Sequence, residues 1–304
     1  MKSFARLCLL LAVAVAALHA QTPVQSPVQS PAAGAAQPPS VPISEEPHHH
    51  LTLQNSYVRV YRVAIISPDS TLMHRHDTPY VYMSIGDADF TNSVEGKPDA
   101  EVRMENGQLG YSKGGFSHII RTANDKPFYN ITVELLHPQN NLRSDCAKVL
   151  QGPLVGCSAP QAAVAGAANK IASESNSPAA GVAPGPGSNT ALAQSTPDDA
   201  KAAAAAPPAF TPILESDETA LKLATFPANA RTSLQAGPAG TLLVIEPLSQ
   251  FKLDFSDGSS QLVSGGDPVW LKTGSTATAT NSSDQTASSL LLFTFKNSPP
   301  PAAN

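Results

Sequence analysis

The sequence predicts an all-β protein made of two small β-barrels that a long low-complexity linker joins. Three observations support this: runs rich in β-branched and aromatic residues recur in two segments, turn residues separate these runs, and neither segment contains an amphipathic helix of useful length. The chain of 304 residues is long enough for about two domains. A charged fraction of 14%, with 28 Pro and 19 Gly, indicates that much of the chain lies outside packed domains.

The first 20 residues are typical of an export signal. Lys2 and Arg6 provide a positive start, an apolar run follows over residues 7–18, and Ala20 is a small residue at the expected cleavage point. No later segment reaches the roughly 20 apolar residues that span a bilayer. We therefore expect a periplasmic or secreted mature protein, without a membrane span, that begins near Gln21.

Two low-complexity stretches divide the mature chain. Residues 21–43 are rich in Pro, Ala and Gln, and residues 141–208 combine a cysteine pair with an Ala/Pro/Gly-rich segment. Neither stretch has the aromatic and β-branched content that would offset its ordering entropy. The sequence thus predicts a signal at 1–20, compact segments at 44–140 and 209–297, and a tail at 298–304.

Export changes what the cysteines indicate. Cys8 leaves with the signal, so that Cys146 and Cys157 remain as a pair. In an oxidising compartment this pair is expected to form a disulfide, which would stabilise the protein by roughly 2–3 kcal/mol. Two free thiols are the alternative. No second Cys or His pair nearby supports a zinc site.

The first compact segment contains the strands expected of a barrel. Its longest strand-like runs are residues 57–66 (YVRVYRVAII) and 128–136 (FYNITVELL). Turn residues such as Asn106-Gly107 separate the runs. Shorter strands are predicted at 71–76, 80–85 and 118–122.

The second compact segment shows the same alternation of short strands and turns. Asp257-Gly258 is typical of a tight hairpin between two of these strands. Strands are predicted at 221–226, 241–247, 251–255, 261–263, 269–271 and 289–295.

Histidines concentrate the candidate chemistry in the first segment, because all eight lie within the first 137 residues. His74 and His76 are two residues apart, so both imidazoles project from the same face of a strand. His118 lies on another predicted strand, and pairing of the two strands would bring it opposite them. Three neutral imidazoles inside a barrel would form a divalent-metal site with positions open for water or ligand.

The spacing of these residues resembles the two characteristic motifs of the cupin superfamily. The first motif is Gly, five residues, His-x-His, three or four residues, Glu, six residues, Gly. His74-Arg75-His76 matches its centre, whereas Pro68 stands at the first Gly and Tyr80 or Val81 at the Glu. The second motif is Gly, five residues, Pro-x-Gly, two residues, His, three residues, Asn, and its matching residues are Gly107, Gly115 and His118.

The resemblance implies two jelly-roll barrels and a divalent metal ion, either Fe, Mn or Zn. The metal ligands that it implies are His74, His76 and His118. In cupins the missing glutamate both binds the metal and, in some enzymes, shuttles protons, so its absence places any reaction carried over from the family in question.

Three further residues are candidates for the site. Tyr80 stands at the glutamate position as a ligand or ligand-orienting hydroxyl, with an ordinary barrel-lining aromatic as the alternative. One histidine of the run 48–50, with His50 as the named candidate, could be a fourth ligand, with a solvated edge as the alternative. Arg121 is a candidate contact for an anionic ligand, with a plain surface cation as the alternative.

The second segment resembles a duplicate that has lost its site, as in a degenerate bicupin. Ala277 stands where the first copy has His118, a shift of 159 residues (277 − 118). The same shift sets Ser233 and Gln235 against His74 and His76, and neither can replace a strong imidazole ligand. Matches to the second motif are found at Gly266, Gly274 and Asn281.

Two functional hypotheses follow. In the first, the metal coordinates a small oxygen-bearing ligand and supports oxygenation, isomerisation or hydrolysis by charge stabilisation. In the second, the chain is a non-catalytic small-molecule-binding or adaptor module of the cell envelope, which the absence of a clear general base favours. The net charge of −5 and the lack of a Lys/Arg cluster argue against nucleic acid as a partner. A homodimer is compatible with the fold, because jelly-roll edges often pair between protomers.

Overall fold

The structure, a computed structural model, describes residues 39–122, 126–144, 148–151 and 205–297. The predicted signal peptide, Cys146, Cys157 and most of both linkers lie outside these residues. The described residues contain 21 strands and one short 3-10 helix, which confirms the all-β jelly-roll fold class. Within the described ranges, no helix is long and apolar enough to cross a membrane.

The first barrel consists of two facing sheets. Its five-stranded sheet has the order β1-β4-β9-β6-β7, and its six-stranded sheet has the order β12-β8-β5-β10-β3-β2. The elements are β1 (Val41–Pro42), the 3-10 helix η1 (Ile43–Glu45), β2 (His49–Gln54), β3 (Val58–Ile65), β4 (His74–His76), β5 (Tyr80–Ser84), β6 (Ala88–Val94), β7 (Ala100–Met104), β8 (Leu109–Ser112), β9 (Phe116–Thr122), β10 (Phe128–Leu135) and β12 (Val149–Gln151).

The second barrel also consists of two sheets. A six-stranded sheet has the order β11-β13-β14-β21-β16-β19, and a four-stranded sheet has the order β15-β20-β17-β18. The strands are β11 (Arg143–Ser144), β13 (Ala209–Glu215), β14 (Thr219–Phe226), β15 (Arg231–Gln235), β16 (Thr241–Ile245), β17 (Gln250–Phe255), β18 (Ser260–Ser264), β19 (Pro268–Leu271), β20 (Thr276–Asn281) and β21 (Ser288–Phe295).

The inner strands of the six-stranded sheet of the first barrel, β3, β5, β8 and β10, are largely buried on both faces. Along β10, Ile131 and Val133 belong to an apolar cluster that also contains Leu242 and Phe293 of the second barrel. The alternate residues Asn130 and Thr132 face the interior of the first barrel, where they line a cavity. Because both faces are covered, nearly every residue of this strand is buried, although polar and apolar residues alternate over 130–135.

The interior of the second barrel is filled by apolar side chains where the first barrel carries histidines. Leu234 on β15 lies opposite Ala277 on β20, as His74 lies opposite His118 in the first barrel. Ser233, which the uniform shift sets against His74, is exposed, and so is Gln235. The shift of 159 residues, which aligns Ser233 with His74, is therefore wrong by one residue on β15, where Leu234 is the equivalent of His74. An error of one residue matters because it exchanges the two faces of a strand.

We predict that the apolar contact between the barrels contributes strongly to stability. Leu242 is 0% exposed within it, so Leu242→Ala should lower the free energy of unfolding by about 2–5 kcal/mol. The matched control is Leu262→Ala, since Leu262 is 63% exposed and should change stability by no more than about 0.5 kcal/mol. Denaturant unfolding followed by fluorescence measures both values, and equal losses would contradict the assignment.

Candidate metal centre

The pairing of β4 with β9 brings the three predicted histidines together. His74 lies directly opposite His118 in the antiparallel ladder, and His76 lies opposite Phe116. Strand alternation turns His74 and His76 to the same side, whereas Arg75 between them is exposed. All three imidazoles are buried, with exposures between 0% and 6%, so they face the barrel interior.

A fourth imidazole comes from β2, and it belongs to His49. Its ring centroid lies 4.7 Å from that of His74 and 6.0 Å from that of His76. The candidate His50 follows on the same strand with an exposed side chain, because adjacent strand residues point to opposite faces. The residue of the 48–50 run that joins the cluster is thus His49 and not His50.

The four rings form one compact cluster. One ligand nitrogen each from His49, His74 and His76 lies within 4.8 Å of the other two. His118 falls outside that set of three, yet its ring centroid is 4.4 Å from His74 and 5.2 Å from His76. The sequence-predicted set and the geometric set therefore share His74 and His76 and differ in the third member.

Three of the four imidazoles are held through Nδ1 by an acceptor behind them. His74 Nδ1 donates to the Leu72 carbonyl oxygen at 2.9 Å, and His118 Nδ1 donates to Asn92 Oδ1 at 2.9 Å. His49 Nδ1 donates to Glu46 Oε2 at 2.6 Å. Such outer acceptors fix the tautomer and the ring orientation of metal-binding histidines and leave Nε2 as the free lone pair.

The free nitrogens satisfy the chemical requirement for a metal. The Nε2 atoms of His74 and His118 are buried without a hydrogen-bond partner. A buried polar atom without a partner costs free energy, and bound metal would remove that cost. The residues therefore fit a divalent ion held by imidazole nitrogens.

Burial keeps His74, His76 and His118 neutral, as imidazole ligands of a metal must be. Loss of solvation, together with the neighbouring His49, lowers the pKa of His74 to about 4. Burial also lowers the pKa of His76 and of His118 well below the usual histidine range. Neutral imidazoles present lone pairs to a cation at physiological pH.

Glu46 at the end of η1 connects the cluster to the segment before β2. Its carboxylate accepts hydrogen bonds from the side chains of His48 and His49 and from the backbone of Leu72. Although burial opposes ionisation, the bonds from His49 and His48 lower the pKa of Glu46 to about 2. This carboxylate thus stays ionised and orients His49.

Tyr80 lies beside the cluster as a packing partner. Its ring stacks on His76 with centroids 4.1 Å apart and an interplanar angle of 22°. The side chain is buried, and burial raises the pKa of its phenol. Tyr80 is thus protonated at physiological pH, and its described contact with the cluster is through the ring face.

Arg121 lies away from the cluster. Its side chain is exposed, donates a hydrogen bond to Ser93 Oγ and lies 3.8 Å from Asp99 Oδ2. It is absent from the residues that line the barrel cavity. Arg121 is therefore a plain surface cation, which is the alternative to a contact with an anionic ligand.

The histidines open onto a cavity of about 60 Å³. This volume holds a few water molecules or a very small ligand. Its other lining residues are Val63, Ile65, Thr71, Tyr80, Tyr82, Phe90, Asn92, Val102, Ile120, Phe128, Asn130 and Thr132.

Sequence reasoning named His50 in place of His49 within the run 48–50, and it missed Glu46, Asn92 and Glu134. For His49 the phase of β2 decides which of three consecutive histidines points inward, and a turn before the strand hides that phase. Glu134 offered a signal, because it is the one charged residue in an otherwise apolar and polar-neutral run at 128–136. A lone charge at an inward position of a buried strand is rarely retained without a partner.

We predict that the metal-free protein loses stability as the pH falls from about 6.5 to about 4. Over this range the unfolded chain takes up a proton at His74 while the folded chain does not, so stability falls with falling pH by about 1.4 kcal/mol per pH unit. His74→Gln should reduce the slope by that amount. The exposed His50→Gln is the control, and an identical slope in wild type and His74→Gln would contradict the prediction.

Comparison with known proteins finds solved structures whose backbones are similar to this one. No family model matches the sequence, and no curated protein matches it. A cupin 2 conserved barrel domain protein from Leptotrichia buccalis is 9% identical, with 82% of this chain and 88% of that chain covered and a TM-score of 0.43. AerE from Microcystis aeruginosa is 9% identical, with 83% and 99% covered and a TM-score of 0.46.

A salicylate 1,2-dioxygenase from Pseudaminobacter salicylatoxidans is 12% identical, with 78% of this chain and 70% of that chain covered and a TM-score of 0.44. At these identities no residue role is transferred from one protein to the other. The solved structures to which the chain is similar include cupin-domain proteins, the superfamily whose motifs the residues around His74 and His118 resemble.

Proposed function

We propose that the first barrel is a cupin-type metal-binding domain that holds one divalent ion and presents it to a small oxygen-bearing ligand. The proposed ligand set is His74, His76 and His118, with His49 as the fourth imidazole. One observation carries the proposal: the buried Nε2 atoms of His74 and His118 lack any hydrogen-bond partner inside the cluster of four imidazoles.

The donor set favours iron or zinc. Imidazole nitrogen suits Fe, Zn, Cu and Ni, whereas Mn and Mg are better matched by carboxylate and water oxygen. In the described barrel the carboxylate of Glu46 lies behind His49 and that of Glu134 lies beside His76, so neither belongs to the proposed ligand set. Among the metals that the cupin resemblance implies, manganese is therefore the least suited.

The ion would supply charge stabilisation to an oxygen atom of the ligand. The chain supplies a cavity with two chemically different sides. Asn130 and Thr132 offer polar groups from β10, whereas Phe90 and Phe128 stack at 4.4 Å and form part of the apolar side. The small volume and mixed lining favour a compact ligand with an oxygen donor at one end.

A non-catalytic binding role is the second candidate function, and one observation favours it. The residues that line the cavity include no Asp, Glu, Lys, Arg or Cys within the described part of the chain. The tyrosines among them are poor bases and acids at neutral pH, because burial raises the pKa of Tyr82 to about 12. A general base would then have to come from the histidines or from the ligand itself.

We further propose that the protein acts outside the cytoplasm as a periplasmic or secreted protein. The support is sequence-based: a signal-like segment at 1–20 and a pair of cysteines, Cys146 and Cys157, available for a disulfide. A homodimer is proposed on the general tendency of jelly-roll edges to pair. The mass of the mature protein tests cleavage of the signal, and a mobility shift on non-reducing gels after addition of a reducing agent tests the disulfide. The mass of the native protein in solution tests the homodimer.

We predict about one equivalent of divalent transition metal per purified chain. His74→Ala and His118→Ala should each weaken metal binding by at least about 10–100-fold, the loss that even outer partners of a ligand can cause. His50→Ala is the matched control, because it removes an exposed imidazole from the same barrel. Elemental analysis and chelator competition measure the effect; metal-free wild type, or unchanged binding in both variants, would overturn the proposal.

We predict that small oxygen-bearing compounds bind only to the metal-loaded protein. A panel of phenols, diketones and sugars can be screened by the visible spectrum of the Co²⁺ form, with His74→Ala as the control. Oxygen uptake or product formation in the same panel would identify an enzyme, and spectral binding without turnover would identify a binding module. A panel-wide absence of any metal-dependent response would count against the ligand role.

A further inference from the structure

Glu134 is a buried carboxylate that the proposed site does not yet explain. Its side chain is 0% exposed on the interior face of β10, opposite Arg59 in the ladder with β3. Its Oε2 lies 2.9 Å from Arg59 Nε, and its Oε1 lies 3.6 Å from His76 Nδ1. The carboxylate thus lies between a cation and one imidazole of the cluster.

None of these three groups completes a hydrogen bond there. Arg59 Nε, His76 Nδ1 and both oxygens of Glu134 are buried without a partner of hydrogen-bond geometry, despite the short ion pair. Burial of a carboxylate is costly unless its oxygens are paired and hydrogen-bonded. The arrangement is therefore an incomplete hydrogen-bond network beside the candidate metal centre.

His76 is also the exception among the four imidazoles. The other three each donate Nδ1–H to an acceptor: Leu72 O, Asn92 Oδ1 or Glu46 Oε2. For His76 the group facing Nδ1 is Glu134 Oε1. A charge-assisted bond of this type is about 2.7–2.9 Å long, so a displacement of less than about 1 Å would complete it.

We propose that Glu134 is the positioning residue of His76. The Glu134 carboxylate accepts a hydrogen bond from Nδ1–H of His76 when Nε2 binds the metal, while Arg59 holds the carboxylate in place. The proposal rests on the proposed metal-binding function and deepens it. The sequence does not place this carboxylate among the ligands. Glu134 would contact a ligand and not the metal, and its negative charge would raise the basicity of the His76 imidazole.

A purely structural ion pair with Arg59 is the competing explanation, and two substitutions separate the two roles. Glu134→Met removes every acceptor at similar length. Glu134→Gln removes the charge that pairs with Arg59 but keeps an acceptor for His76. If Glu134 positions His76, metal affinity should fall in Glu134→Met, which lacks an acceptor, and fall less in Glu134→Gln, which keeps one. If Glu134 only pairs with Arg59, both variants should lose the same stability and keep the wild-type metal affinity.

The experiment measures the Zn²⁺ dissociation constant by chelator competition and the visible spectrum of the Co²⁺ form. Glu134→Met should weaken Zn²⁺ binding by about 10–100-fold and alter the Co²⁺ spectrum. Glu134→Gln should weaken Zn²⁺ binding by a smaller factor than Glu134→Met. Glu246→Met is the matched control, because Glu246 is a largely enclosed carboxylate of the second barrel whose pKa burial raises to about 6. The control should leave both readouts unchanged.

The outcomes distinguish the two proposals. A wild type that binds no Zn²⁺ overturns the metal-binding function, whereas a wild type that binds Zn²⁺ with the same constant as Glu134→Met overturns the role of Glu134 alone. If the variants do not fold, NMR of the zinc-loaded wild type decides. A slowly exchanging His76 Nδ1–H proton is expected, and its absence overturns the assignment.

Discussion

The first barrel depends on one electrostatic constraint: the imidazoles of His74, His76 and His118 can be buried together only while they stay neutral. Their ring centroids lie 4.4 to 5.2 Å apart, so several positive charges there would repel one another strongly in a medium with little water. Neutral rings instead carry lone pairs that need a partner. Outer acceptors take the Nδ1–H groups of His74 and His118, and the Nε2 atoms of both stay buried without the partner that a cation would provide.

The surrounding sheets hold this arrangement rigid. The strand that carries Asn130 and Glu134 inward carries Ile131 and Val133 outward into the apolar contact with the second barrel. The second barrel, whose own interior is packed with apolar side chains, therefore covers the outer face of the sheet that lines the site. Its lack of ligands is consistent with a structural role, because a covered sheet holds inward side chains more precisely than a solvated one.

Strand periodicity made part of the site readable from the sequence. The two-residue spacing of His74 and His76 places both on one face whatever the exact strand bounds, and β-branched runs marked most of the strands. The strand at Ala88–Val94 was missed because its polar residues weaken the signal. Whether His49 or His50 points into the barrel, and whether Leu234 or Ser233 does, depends on the strand register to within one residue. The pairing with the neighbouring strand fixes that register, and the sequence of one strand alone does not.

X-ray absorption spectroscopy at the metal edge of the loaded wild type tests the central claim most directly. The account predicts a first shell that includes at least three nitrogen ligands with the multiple-scattering pattern of imidazole, and no protein carboxylate, because Glu46 and Glu134 lie behind the rings. Two or fewer imidazoles, or a carboxylate from the protein in that shell, would contradict it.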